Sequence, residues 1–167
     1  MGNTLSPLEQ LHAASVAGDT SGLEATLSDF VAAARKNNRK APNSAIQSDF
    51  EKLVNTSERK TGECALHRAA SCGGMSTMEW LLAHGANPNA TTAQSGSTAL
   101  HLCIVSAAPQ VREVLPQMVA ALLNAGIRVG QQNRNRATAL HLARAVKSNV
   151  HNAPQALRTL EGAGLLC

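Results

Sequence analysis

Aromatic residues are almost missing from this chain: of 167 residues only Phe30, Phe50 and Trp80 belong to that class, and there is no tyrosine. That scarcity leaves no stacking platform of the kind that single-stranded nucleic acid uses. It also requires a core of Ala, Leu, Val and Met, which suits closely spaced helices. Long apolar runs are missing too. Nothing approaches the roughly 20 apolar residues of a membrane span, and no apolar stretch follows Met1 as a secretion signal would. Cysteine is sparse: Cys64, Cys72, Cys103 and Cys167 show no C-x-x-C pairing. They read as reduced thiols of an intracellular, cytoplasmic protein rather than a disulfide frame. Acidic residues are outnumbered 11 to 15 by Lys and Arg, for a net charge of +4. That bias is too weak to imply a nucleic-acid partner. The chain also has no glycine-rich phosphate loop, no paired carboxylates and no H-E-x-x-H motif.

What the chain does have is repetition. A Leu-His step occurs at His12, His67, His101 and His141. Three copies read Glu63-Cys64-Ala65-Leu66-His67, Ser97-Thr98-Ala99-Leu100-His101 and Ala137-Thr138-Ala139-Leu140-His141, so Thr98 to His101 and Thr138 to His141 are the same four residues. A small-residue run and an apolar segment follow each block. Between Met78 and Leu82 the apolar residues fall three and four apart, which predicts one buried helical face. Gly85 and Gly126 come directly after such segments, where left-handed helix terminators belong.

These blocks resemble the ankyrin repeat, whose signature Thr-Pro-Leu-His opens the first of two helices. The resemblance implies an all-α solenoid of stacked helix–turn–helix units with short β-hairpin loops. It divides the chain into a leader, 1–6, and an ankyrin-repeat domain, 7–167. Repeats are expected at about 7–36, 60–92, 94–130 and 135–167, with an insertion at about 36–53.

The insertions follow from spacing. In the family pattern fourteen residues separate the histidine from the Leu-Leu pair of the second helix, as His67 and Leu81 do. His12 fits with Thr26 and Leu27. From His101 to Leu122 the interval is longer, which predicts extra residues between the two helices of that repeat, within Ala107 to Gln117. The last repeat carries a few more around Asn149 to Pro154. The largest insertion follows Leu27. There Leu23 to Arg35 should lengthen a helix that Asn37, Asn38 and Pro42 stop, and Ser48 to Leu53 should form a short helix capped by Ser48 or Asp49. Val54-Asn55 matches the family's valine–asparagine step into the next hairpin.

Four histidines and a Cys64-x-x-His67 invite a metal or a nucleophile–base reading. Copies one repeat apart make a ladder rather than a tetrahedral cluster, and in ankyrin-like chains this histidine links neighbouring repeats by hydrogen bonds. Cys103 stands at an alanine position and Cys64 where threonine is usual; Cys72 falls on the surface of a first helix. The expectation is a non-enzymatic chain with no metal and no cofactor.

The amino terminus is more specific. Met1-Gly2-Asn3-Thr4-Leu5-Ser6 matches the N-myristoylation pattern, with Gly2 as acceptor. Ser6 and Pro7 equally suit an N-cap and the first helical turn. One acyl chain holds a membrane only marginally; the basic cluster Arg35, Lys36, Arg39 and Lys40 is the candidate second signal, giving peripheral membrane association.

By position, the resemblance implies a groove lined by hairpin tips and first helices. The second repeat supplies Lys60, Thr61, Glu63, Ser71 and Cys72. Gln94, Ser95, Ser97, Val105 and Ser106 come from the third. The fourth adds Arg134, Asn135, Ala137, Ala145 and Val146, and Arg136 stands where the hairpin glycine belongs, which argues against a standard turn. Arg128, Arg134 and Arg144 make this end basic, a face suited to an acidic protein segment. The expected function is a monomeric protein–protein adaptor or scaffold, tethered through Gly2 if that residue is acylated. The alternative is a soluble stoichiometric inhibitor or regulatory subunit of a kinase or another enzyme.

Overall fold

The computed structural model describes residues 5–40, 42–106 and 109–146, together with Arg158 and Gly162. Among the described residues the helices are α1 (Pro7–Ala17), α2 (Thr20–Asn37), α3 (Asn43–Val54), α4 (Ala65–Cys72), α5 (Met75–Ala83), α6 (Ala99–Val105), α7 (Pro109–Asn124) and α8 (Ala139–Val146). Among the described residues there is no strand, only an isolated antiparallel bridge between Gln132 and Thr138. The short helices form one row, α1 against α4, α4 against α6 and α6 against α8, while α5 packs against both α2 and α7.

Alanine makes the row possible. Ala65, Ala69, Ala70, Ala99, Ala139 and Ala143 are all buried on these short helices, where a missing side chain lets neighbours approach. Leucine and methionine then fill the space between the two layers, with Leu66, Met78, Leu81, Leu100, Met118 and Leu122 buried. Burying one leucine is worth about 2 kcal/mol, and a single helix pair cannot bury its own apolar face, so stability comes from stacking.

Local signals fix where helices begin and end. Ser6 caps α1: its hydroxyl accepts from Glu9 N–H at 3.3 Å, and its own N–H donates to Glu9 Oε2 at 2.8 Å. Pro7 occupies the first turn. Gly85 and Gly126 both take left-handed backbone after α5 and α7.

The insertion departs from the sequence expectation in one respect. Helix α2 does run on to Asn37 and stops at Asn38. The helix after it, however, is twelve residues long and starts at Asn43, after Pro42 in extended backbone (φ −66°, ψ 147°), so neither Ser48 nor Asp49 is its cap. Asp49 lies mid-helix and pairs with Lys52 at 2.8 Å. What extends α3 toward its N-terminus is Ile46, which is buried with Phe50 and Val54 at helical spacing. A second correction concerns the long interval after His101. The added residues lengthen the second helix instead of separating the pair: α7 has 16 residues and carries Pro116 inside it. The expected second helix of the last repeat and the Asn149–Pro154 segment lie outside the described residues.

Candidate interaction surface

Three histidines stand at equivalent places, each the third residue of its helix. Nδ1 of His67 accepts from Cys64 N–H at 3.1 Å, that of His101 from Thr98 N–H at 3.2 Å, and that of His141 from Thr138 N–H at 3.3 Å. A backbone N–H can only donate, so Nδ1 is the acceptor and the proton sits on Nε2. That Nε2–H donates to the next hairpin, His67 to Ala90 O at 3.0 Å and His101 to Ala137 O at 3.1 Å. Burial holds His67 and His101 below the usual imidazole range, which keeps them neutral donors. His12 is different. It lies within α1 rather than at its start, and its buried Nε2 has no hydrogen-bond partner among the described residues.

Two asparagines run a second ladder. Asn55 donates to Gly85 O at 2.8 Å and accepts from Asn87 N–H at 2.7 Å. Asn89 donates to Gly126 O at 3.2 Å and accepts from Arg128 N–H at 2.7 Å.

The hairpins stack directly. Each closes on itself, through Glu58 N–H to Glu63 O at 2.8 Å, Thr92 N–H to Ser97 O at 2.9 Å and Asn133 N–H to Ala137 O at 3.0 Å. The last is one residue shorter than the others. Ala93 N–H donates to Gly62 O at 3.2 Å and Arg134 N–H to Ser95 O at 2.9 Å, joining the tips in a row. Arg136 does not prevent its turn: it adopts φ +57°, the same left-handed region that glycine holds at Gly62 and Gly96.

Along this row Lys60, Gln94, Ser95, Arg134 and Asn135 are exposed, as are Val105 and Ala145 on α6 and α8. Thr61, Glu63, Ser71, Cys72, Ser106 and Ala137 are half-buried. Ser97 is buried, and its hydroxyl accepts from Ser95 at 2.8 Å, so it braces the hairpin from within. Ser106 Oγ donates to Ser71 O at 2.8 Å, joining α6 to α4. Val146 ends α8, and its side chain lies outside the described ones.

Sequence reasoning missed Arg59, exposed beside Lys60, and the role of Arg68. The Arg68 guanidinium pairs with Glu58 and approaches Glu63 at 3.9 Å. The Glu58 carboxyl is held low, first by the Thr61 hydroxyl that donates to it. Both tip carboxylates are thus engaged, while Arg59, Lys60, Arg134 and Arg136 project into solvent. The signal was Arg68 following directly on His67, one position from the ladder.

The cysteines are placed for packing. Cys64 Sγ lies 3.0 Å from His67 Nδ1, which looks like a thiol and its base. Both are buried, the same Nδ1 already accepts from the backbone, and burial pushes the thiol up, which disfavours the thiolate. Cys103 is buried and its thiol is pushed up to about 12. Cys72 ends α4, half-buried beside a shallow pocket that it lines with Val16, Gly18 and Gly73. Among the described residues no group of three or more His, Cys, Asp or Glu could hold a metal ion, and no helix is long and apolar enough to cross a membrane.

The cluster Arg35, Lys36, Arg39 and Lys40 is exposed at the end of α2 and just beyond. Gly2 lies outside the described residues.

Residues 11–115 match the family model described as ankyrin repeats, three copies. The match covers more than half of the chain, which therefore belongs to the ankyrin-repeat family. Such repeats are generally non-catalytic modules for protein–protein interaction. Helix α8 lies beyond the matched residues, yet it carries the same Thr-Ala-Leu-His geometry and packs on α6.

Proposed function

We propose that this ankyrin-repeat chain is a non-enzymatic adaptor that binds an acidic segment of a partner protein along its hairpin tips and short helices. One observation carries the reading. The exposed charge of the tips is cationic, because Arg68 engages Glu58 and Glu63 while Arg59, Lys60, Arg134 and Arg136 stay in solvent. The rest of the strip is small and polar, without a Trp or Tyr anchor of the kind that dominates tight interfaces. Modest affinity follows, with a strong electrostatic share.

We further propose that Gly2 carries a myristoyl group and that the four basic residues after α2 supply the second membrane signal. A single acyl chain binds reversibly, so the charges matter. Pro7, five residues after Gly2 in sequence, and Lys40 of the basic cluster line one groove.

The test compares proximity capture by the wild type with Gly2→Ala and with Lys60→Glu/Arg134→Glu/Arg136→Glu. The charge-reversed protein should lose an acidic partner that Gly2→Ala retains in solution, and raised salt should weaken the same contact. Gly2→Ala should move the protein to the soluble fraction. Intact mass from eukaryotic cells must show one acyl group and no Met1. An unmodified mass together with a single tight enzyme target would favour the soluble inhibitor instead.

A further inference from the structure

The insertion between the first and second repeats does more than bridge them. The overhanging end of α2 and the first turns of α3 border an open groove of about 620 Å³, mainly apolar but with Asn37, Asn38 and Asp49 in its lining. Phe30, Ala33 and Ala34 line it from α2, Ala45 and Ile46 from α3, and Pro7 from the first turn of α1. The helix pairs of the repeat do not need this groove, since α2 already packs on α1 and α5. Its size falls within the range of roughly 300–1,000 Å³ typical of small-ligand sites.

The place where the chain enters α1 suggests an occupant. Four residues, 1–4, precede the described ones at this end. The first described residue, Leu5, is 50% exposed, and its carbonyl accepts from Gln10 Nε2 at 3.1 Å, holding it beside the start of α1. Two residues later Pro7 lines the groove. Gly2 is three residues before Leu5, so an extended leader carries its nitrogen no more than about 10 Å from it. An acyl chain on Gly2 is therefore tethered within reach of a groove that Pro7 borders.

We propose that the groove between the end of α2 and α3 receives the acyl chain carried on Gly2, shielding it from water and from the membrane until a bilayer or partner draws it out. This inference rests on the proposed acylation of Gly2. The groove supplies Phe30 and Ile46 as apolar contacts and alanines that leave room for a linear hydrocarbon. Lys40 stands at the rim, with Arg35, Lys36 and Arg39 nearby in sequence. A chain leaving the groove emerges next to cations that an anionic leaflet attracts, so shielding and tethering share one location.

The experiment uses the full chain coexpressed with an N-myristoyltransferase and supplied with ¹³C-labelled myristate. Intact mass first reports whether Gly2 is acylated; an unmodified chain overturns the tether and this inference together. With acylated protein, nuclear Overhauser contacts are expected from the acyl methylenes to the Phe30 ring and the Ile46 methyls. Partition onto neutral phosphatidylcholine vesicles should be at least tenfold weaker than the roughly 10⁴ M⁻¹ of an unshielded myristoyl chain. Ala33→Trp and Ala45→Trp fill the groove from exposed positions, so the core is untouched. Each should raise vesicle binding of the acylated protein about tenfold and leave the Gly2→Ala protein unchanged. Acylated wild type binding at full strength, without those contacts and indistinguishable from the tryptophan variants, would refute the groove and leave the tether standing. Concentration-dependent shifts of Ile46 in the unacylated chain would assign the groove to a second copy, and would equally overturn the proposal.

Discussion

Alanine at Gly62 should cost far more than alanine at Gly126, although both positions hold left-handed backbone, at φ +67° and +82°. The backbone term is shared: an L-residue pays roughly 1–2 kcal/mol in this region. The surroundings differ. A β-carbon at Gly126 meets nothing within 4 Å, whereas at Gly62 it would lie 2.3 Å from Ala93 Cβ, 2.7 Å from Ala93 N and 3.0 Å from Ala93 Cα. Backbone is among those neighbours, so the second and third hairpins must separate. Overpacking of that kind costs about 1–3 kcal/mol. Separation also strains the Ala93 N–H to Gly62 O bond at 3.2 Å, worth about 1 kcal/mol. Gly62→Ala should therefore lose about 3–6 kcal/mol and Gly126→Ala about 1–2 kcal/mol. Arg136 runs the other way: it already holds φ +57°, so Arg136→Gly relieves roughly 1–2 kcal/mol of strain and, after the roughly 0.5–1 kcal/mol of entropy glycine adds to the unfolded chain, should gain about 0–1.5 kcal/mol. Urea melts of the three variants, read as midpoints at constant slope, measure all of this. Equal losses at Gly62 and Gly126 would refute the direct hairpin contact, and a loss at Arg136→Gly would refute the strain.

Acidification should destabilise the stack. Burial lowers the pKa of His12, His67 and His101 below the ordinary imidazole value of about 6.5, so the unfolded chain binds more protons than the folded one. Their contribution is complete above about pH 6.5 and is lost as pH falls from there through the folded values. Urea midpoints should hold between pH 8 and 7 and fall between pH 6.5 and 5; a flat profile would contradict buried neutral histidines. Native alkylation with iodoacetamide, mapped by peptide mass, should modify Cys72 first and leave Cys64 and Cys103 protected, because burial raises both thiols. Rapid labelling of Cys103 would mean that α6 opens locally.

The repeated part of this fold was legible because it writes one set of local interactions several times. The step Thr-Ala-Leu-His specifies a cap hydroxyl, a packing alanine, a core leucine and a cross-repeat donor, and Thr98 to His101 shows all four. Cys64 to His67 follows the same pattern, because the backbone N–H keeps the same acceptor when sulfur replaces oxygen. What stayed hidden was tertiary. Asp49 looks like a cap until Ile46 is seen buried on the turn before it. Ser97 looks like a tip residue until its hydroxyl is found accepting from Ser95 inside the hairpin. Residues counted between two helices joined the second one, because buried Val111, Leu115 and Met118 continue the apolar face of α7 through Pro116.

Departures from the repeat therefore carry more information about this particular chain than the repeats do. Where local propensity and global fold agree, a residue is explained by stability alone. Arg136 breaks that agreement, holding a left-handed position that glycine would hold with less strain, and it places a cation at the exposed tip of the last described hairpin. The α2 overhang and α3 break it as well, adding helix where the stack needs only a turn and leaving alanines exposed above Phe30 and Ile46. If these features served folding, replacing them with the repeat consensus would lower stability and leave binding untouched. Arg136→Gly makes the cheapest such replacement. A protein that becomes more stable and at the same time weaker for an acidic partner would show that this strain is retained for recognition.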